Sequence, residues 1–271
     1  MMKLNFNLEK QNKQISHNNN INNIFNNNIN FYVCSSGGCG STILYNYLRN
    51  FGKVYHIHDR FPPNHLCYTG SINTNETVYD EWFNKTEIPK NELSNYKVIF
   101  LYRNPIDVIF SRFALPKGPN IRHMQNIKCD NNGEIYFGDI IQSRRDLYKL
   151  EEFFDNYTMF KDRNYPIYCV KYEHFFNNIG LFNKILGIPD IKSLYPIKSE
   201  RKKKYTYIHE LSIIYYHLMQ KMNKMRFIEI IPINNNNNNN DNNNNNNNND
   251  NNNEENSLTI NETINDDDDN V

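Results

Sequence analysis

The chain reads as an α/β protein with three layers built around a central parallel sheet. Short apolar runs alternate with helical patterns from Asn30 onward, which is how successive βαβ units look in sequence. One run, Lys97-Val98-Ile99-Phe100-Leu101-Tyr102, is nearly continuous in apolar residues, as in a parallel strand covered on both faces. A turn of small residues, Cys34-Ser35-Ser36-Gly37-Gly38-Cys39-Gly40-Ser41-Thr42, joins the first apolar run to the first helical pattern.

Taken in order, Asn30 to Cys34 predicts the first strand and Thr42 to Asn50 the first helix. Lys53 to Ile57 predicts a second strand, followed by a loop containing Pro62 and Pro63. Lys97 to Tyr102 predicts the third strand. It leads into Arg103-Asn104-Pro105, where Asn104 suits a helix N-cap, Pro105 the first turn, and Asp107 the position three residues after the cap. Asp139 to Phe160 carries Ile140, Ile141, Leu147, Leu150, Phe153 and Phe154, which predicts one long helix. Tyr165 to Val170 is the fourth strand, and Glu173 to Leu186 and His209 to Met225 are helical stretches. No internal repeat is visible. In such sheets ligands bind beyond the carboxyl ends of the strands.

Composition sets the boundaries. Asn234 to Asn253 is almost pure asparagine and Glu254 to Val271 is polar and acidic, so 234–271 is expected to be a disordered tail. Residues 1–28 form a polar, Asn-biased segment, which leaves 29–233 as the packed domain. The formal net charge of +0 hides an asymmetry, because nine acidic residues lie in a tail that contains no Lys or Arg. The remainder holds 30 basic against 21 acidic residues, a net +9. A domain this basic suits an anionic ligand.

Five scattered cysteines, Cys34, Cys39, Cys67, Cys129 and Cys169, show no CxxC spacing, so neither a disulfide framework nor a zinc site is indicated. Met1 to Gln14 has no apolar core. The most apolar late segment, Leu211 to Ile233, is interrupted by His217, Lys221, Lys224, Arg226 and Glu229. The expectation is a cytoplasmic protein without a membrane span, or one of the Golgi lumen if the N-terminus is incomplete. Sequons at Asn75, Asn84 and Asn156 arise by chance in an Asn-rich chain.

Three segments carry the chemistry. In the first, Ser36, Gly37, Gly38, Cys39, Gly40, Ser41 and Thr42 form an anion cradle: glycines let backbone N–H groups point inward, and Ser41 and Thr42 sit where a helix N-terminus exposes donors. No Lys or Arg lies between Phe31 and Tyr47, and Gly40 occupies the place of the Walker A lysine, which disfavours a standard NTPase or kinase. In the second, Arg103 leaves a strand end on the ligand side and Ser111 lies one helical turn beyond Asp107. A guanidinium and a hydroxyl there suit a phosphate, while pairing of Arg103 with Asp107 is the plainer alternative. In the third, Tyr55 to Arg60, strand geometry puts His56 and His58 on one face and Asp59 on the other. Arg201 to Lys204 reads as a solvated basic patch, a localisation-like cluster or a further phosphate grip, and Trp82 as core.

Together the first two segments resemble the sulfotransferases that use 3′-phosphoadenosine 5′-phosphosulfate, whose fold is the P-loop nucleoside triphosphate hydrolase-like one. In that family a strand-loop-helix grips the 5′-phosphosulfate, and an Arg-Asn-Pro-x-Asp-x-x-x-Ser segment grips the 3′-phosphate. Arg103 and Ser111 match that spacing. Val170-Lys171-Tyr172-Glu173-His174-Phe175 and Ile185-Leu186-Gly187-Ile188-Pro189 are similar to later segments of the family, so the resemblance spans Phe31 to Pro189. Gly38 stands where family members usually carry Lys or Arg.

The resemblance implies transfer of a sulfuryl group to a hydroxyl of a carbohydrate or small molecule, with the nucleotide as co-substrate and neither metal nor nucleic acid required. Tyr172 and Glu173 are expected to be structural. The base is expected to be His58 first and Asp59 second, with Arg60 as charge stabiliser. A non-catalytic nucleotide-binding module of the same fold and an atypical small-molecule kinase remain as alternatives.

Overall fold

Phe31, Tyr32, Val33 and Cys34 carry no charge and are fully buried, and they form the hub of the sheet. In the computed structural model, which describes residues 29–73, 78–82, 86–113, 136–159, 161–198 and 206–233, this strand is β1 (Asn30–Cys34). The others are β2 (Lys53–Ile57), β3 (Gly70–Asn73), β4 (Val78–Glu81), β5 (Tyr96–Tyr102), β6 (Ile167–Lys171) and β7 (Ile228–Ile231). They lie in the order β3-β4-β2-β1-β5-β6-β7. The five strands from β4 to β6 run parallel, while β3 pairs antiparallel with β4 and β7 antiparallel with β6.

Among the parallel strands the chain moves outward from β1 to β2 and β4, then returns to the other side of β1 for β5 and β6. The order reverses between β1 and β5, where a doubly wound sheet opens a crevice at its carboxyl edge. Register sharpens this: Cys34 ends β1 level with Phe100, so β5 runs two residues further. The loop after β1 therefore passes beside the end of β5 and whatever follows it.

Helices are α1 (Ser41–Leu48), α2 (Pro105–Phe113), α3 (Phe137–Ser143), α4 (Leu150–Thr158), α5 (Tyr172–Phe175), α6 (Ile179–Leu186), α7 (Ile208–Ile214) and α8 (Tyr216–Lys224). Aromatic residues of α4 cover one face of β5: Tyr157 stacks on Phe100 with centroids 4.5 Å apart, and Phe154 meets Tyr102 edge-on at 5.2 Å. Each such ring contributes about 1.5–3 kcal/mol by leaving water. Trp82 joins this cluster, stacked on Tyr157 and edge-on to Tyr32, and is core as its sequence context suggests. Tyr47 of α1 packs against Phe175 and Phe182 and donates from its hydroxyl to Asn183 Oδ1 at 2.8 Å, joining α1 to α6. The arrangement is compatible with three layers.

The single helix expected over Asp139 to Phe160 is two. α3 stops where Arg144 turns left-handed (φ 53°), and Lys149 (φ 49°) precedes α4. Asp146 organises the break, its carboxylate accepting the Glu151 amide at 2.9 Å. The stretch Glu173 to Leu186 is likewise split into α5 and α6, with the Asn178 side chain donating to His174 O at 2.8 Å across the junction. Tyr215 separates α7 from α8 in the stretch His209 to Met225. Strands β3, β4 and β7 add to the four that the sequence predicts. Residues 1–28 and 234–271, the sequons at Asn75 and Asn84, Cys129 and the run Arg201 to Lys204 lie outside the described residues.

Candidate anion-binding site

The chain leaves β1 at Cys34 and turns through three left-handed glycines: Gly37 (φ 75°), Gly38 (φ 69°) and Gly40 (φ 85°). Any other residue at such a φ costs about 1–2 kcal/mol, which accounts for the composition of the loop. Ser35 is buried and its Oγ accepts the Gly37 amide at 3.2 Å. Cys39 is also buried, its thiol 3.4 Å from both Ser36 Oγ and Gly37 O, and burial pushes that thiol's pKa up. Gly40 O then accepts the amides of Ile43 at 2.9 Å and Leu44 at 3.4 Å, which starts α1. Among the described residues the amides of Gly38, Cys39, Gly40, Ser41 and Thr42 have no acceptor. A run of unpaired amides ending on a helix N-terminus, with no acidic residue in the first turn, has the donors and the dipole that suit an anion.

The loop lies against α2. Asn104 Oδ1 accepts the Ile106 amide at 3.0 Å, and Glu173 Oε1 accepts the Asn104 amide at 2.7 Å, so both segments singled out in the sequence fix the start of this helix. Arg103 donates to Asp107 Oδ2 at 3.0 Å and to Gly38 O at 3.4 Å, and its guanidinium carbon lies 4.6 Å from the centre of the Tyr172 ring. Its Nε is sealed from solvent and has no partner among the described residues. The pairing of Arg103 with Asp107 is thus real, but it coexists with contact to the glycine loop. A methyl carbon placed on Gly38 would lie 3.5 Å from Ser111 Cβ and 3.2 Å from Val108 O. Ser111 therefore flanks the loop. The same test at Gly40 gives 2.2 Å to the Tyr172 ring, so Tyr172 and Glu173 hold the loop and α2 in place.

Arg112 was not among the residues that sequence reasoning selected. Its terminal nitrogen donates to Ser36 O at 2.8 Å, and a methyl carbon on Gly37 would lie 1.2 Å from that nitrogen. The guanidinium thus occupies the space that the missing Gly37 side chain leaves. Among the described residues its buried Nε has no partner, and burial lowers its pKa. The sequence shows only that Val108, Ser111 and Arg112 share one helix face, at i, i+3 and i+4, and not that the glycine loop packs on that face.

His56 and His58 share a face of β2 and its end, with ring centroids 4.4 Å apart. His56 Nε2 is 2.7 Å from Ser41 Oγ, which ties His56 to the first residue of α1. His58 Nδ1 is 2.7 Å from Ser35 O. A carbonyl only accepts, so Nδ1 carries the proton and Nε2 is the basic atom of the neutral ring. Asp59 accepts the Phe61 amide at 2.9 Å, and its carbonyl accepts the Tyr157 hydroxyl at 2.7 Å. Arg60 is buried, with contacts to Tyr148 O at 3.4 Å and Glu152 at 3.7 Å on the α4 side. The geometry joins His58 and His56 to the loop, while Asp59 and Arg60 make hydrogen bonds with Tyr157 and Asn156 of α4.

Between the ends of β5 and β6 and helix α8 lies a cleft open to solvent, of about 260 Å³, lined by Tyr102, Asn104, Lys171, Glu173 and Met222. Among the described residues, no group of three or more His, Cys, Asp or Glu side chains is placed to hold a metal ion, and no helix is long and apolar enough to cross a membrane. No family model, curated protein or solved structure matches the chain.

Proposed function

We propose that this protein is a sulfotransferase of the P-loop-like fold, moving a sulfuryl group from 3′-phosphoadenosine 5′-phosphosulfate to a hydroxyl of a carbohydrate or small molecule. The observation that carries the reading is the packing of the Arg103 to Arg112 segment onto a glycine loop with five unpaired amides. Two anion grips of this kind, one built from loop amides and one from Arg103 with Ser111, suit a ligand with phosphate groups at both ends of a ribose. Ser36, Gly37, Gly38, Cys39, Gly40, Ser41 and Thr42 surround the 5′ end in this reading. His58 Nε2 accepts the acceptor's proton, and positioning and charge stabilisation supply most of the rate.

A second reading, a nucleotide-binding module without turnover, is favoured by one observation: no residue within the loop itself is cationic. Binding to immobilised adenosine 3′,5′-bisphosphate, with and without Arg103→Ala, tests the ligand. The wild-type chain is expected to be retained and eluted by free bisphosphate, and R103A to be lost. Retention of both proteins alike would refute the assignment of Arg103. Transfer of labelled sulfate to a panel of hydroxyl acceptors then separates enzyme from module.

A further inference from the structure

The glycine loop has no cation of its own, yet a guanidinium reaches it from another element. Arg112 reaches from the last turn of α2, donates to Ser36 O at 2.8 Å, and stands where a Gly37 side chain would be. No carboxylate pairs with it among the described residues, and its Nε is buried without an acceptor. Burial without a counter-ion pulls its pKa down, with Cys39 and Tyr148 opposing that shift only in part. A partly buried guanidinium held by one neutral carbonyl lacks, among the described residues, the charged partner that buried charges normally require. The unpaired amides of Gly38 to Thr42 begin beside it. An anion seated on those amides would supply the missing counter-charge.

We infer that Arg112 is the catalytic cation of this loop, gripping the 5′-phosphate of the donor and stabilising the charge that develops there during transfer. The inference rests on the sulfotransferase reading. In the reaction the acceptor oxygen bonds to sulfur while the bond from sulfur to the bridging oxygen breaks. That electron pair stays on the 5′-phosphate, and the hydroxyl proton goes to His58 Nε2. The leaving phosphate gains one negative charge, and a partly desolvated guanidinium beside it stabilises that charge more than the charge of the bound donor. A forked donor also fixes the orientation of the phosphate, which a single point charge does not.

The test is a crossed ligand series titrated into the full chain by calorimetry, and it needs no knowledge of the acceptor. The ligands are adenosine 3′,5′-bisphosphate, adenosine 5′-monophosphate and adenosine 3′-monophosphate. Arg112→Ala is expected to weaken the two ligands that carry a 5′-phosphate by about 10- to 100-fold and to leave the 3′-monophosphate within about 3-fold. Arg103→Ala is expected to give the mirror pattern, weakening the two ligands with a 3′-phosphate. If R112A fails to fold by circular dichroism, R112K carries the comparison: it keeps the charge, loses the fork, and is expected to show a 5′-selective loss of about 3- to 10-fold.

Equal losses for all three ligands would mean that Arg112 only supports the loop, and no loss would mean that it does not meet the phosphate. Either overturns the inference while leaving the donor reading intact. Failure of the wild-type chain to bind the bisphosphate would instead overturn the donor reading, and this inference with it.

Discussion

Replacing Gly40 by alanine tests whether the loop holds the shape that makes it an anion site. Gly40 is left-handed (φ 85°, ψ 16°), and an added Cβ would lie 2.2 Å from the ring of Tyr172. That ring cannot easily yield, being 8% exposed, 4.6 Å from the Arg103 guanidinium and edge-on to Phe176 at 5.5 Å. The backbone contribution is about 1–2 kcal/mol and the overpacking contribution about 1–3 kcal/mol, so G40A should lose about 2–5 kcal/mol. Two other glycines separate these effects. Gly187 is also left-handed (φ 70°) with nothing within 4 Å of an added Cβ, so G187A should lose only the backbone part, about 1–2 kcal/mol. Gly138 lies in α3 with open space around it and no positive φ, so G138A should gain about 0.4–1 kcal/mol. Urea unfolding of the three variants at constant m-value measures the series. A G40A loss no larger than that of G187A would refute the packing of the loop against Tyr172.

Two further outcomes follow from the site and its support. His58→Gln should lower sulfate transfer by about 10²- to 10⁴-fold while leaving bisphosphate affinity nearly unchanged, and equal losses in both would remove His58 from the role of base. Hydrogen bonds from Tyr195 and from Asn183 (2.9 Å) hold Asp190 below the usual carboxylate pKa. A depressed folded-state pKa means that the stabilisation is fully present above the unfolded value of about 3.9 and is lost as pH falls through the lower folded value. The advantage of wild type over Asp190→Asn should therefore be constant above about pH 5 and shrink below it in pH-dependent thermal melts. A constant difference down to pH 2 would contradict that network.

The parallel strands were legible because their burial on both faces leaves continuous apolar runs. β1 and β2 match their expected bounds, and β5 and β6 differ by one or two residues. The edge strands were not legible. β7 contains only four residues directly after a helical stretch, and β3 and β4 are four-residue strands that, among the described residues, pair with each other and, for β4, with the end of β2. The break between α3 and α4 has no glycine or proline to announce it. It depends on Arg144 and Lys149 entering left-handed conformations that the Asp146 cap supports. The break at Asn178 carried a visible signal in its asparagine pair.

At the candidate site, the glycine loop and the Arg103 to Ser111 segment could be read locally, because each is a contiguous motif. Arg112 could not be assigned from its own segment, since its position depends on the loop folding back onto the face of α2 that carries Val108 and Ser111. Arg60 follows directly on the His56 to Asp59 segment, and its long-range contacts to Tyr148 O and Glu152 could not be read from that position.

The central claim is that the loop and Arg103 together bind a nucleotide with phosphates at the 3′ and 5′ positions. Thermal unfolding of the full chain with adenosine 3′,5′-bisphosphate, compared with ATP and magnesium, tests it most directly. A ligand at 100 times its dissociation constant stabilises the native state by about 2.7 kcal/mol, which is readily seen as a shift in Tm. The account predicts a saturable upward shift with the bisphosphate that Arg103→Ala removes, and little shift with ATP and magnesium. A shift with ATP alone, or none with either nucleotide, would contradict it.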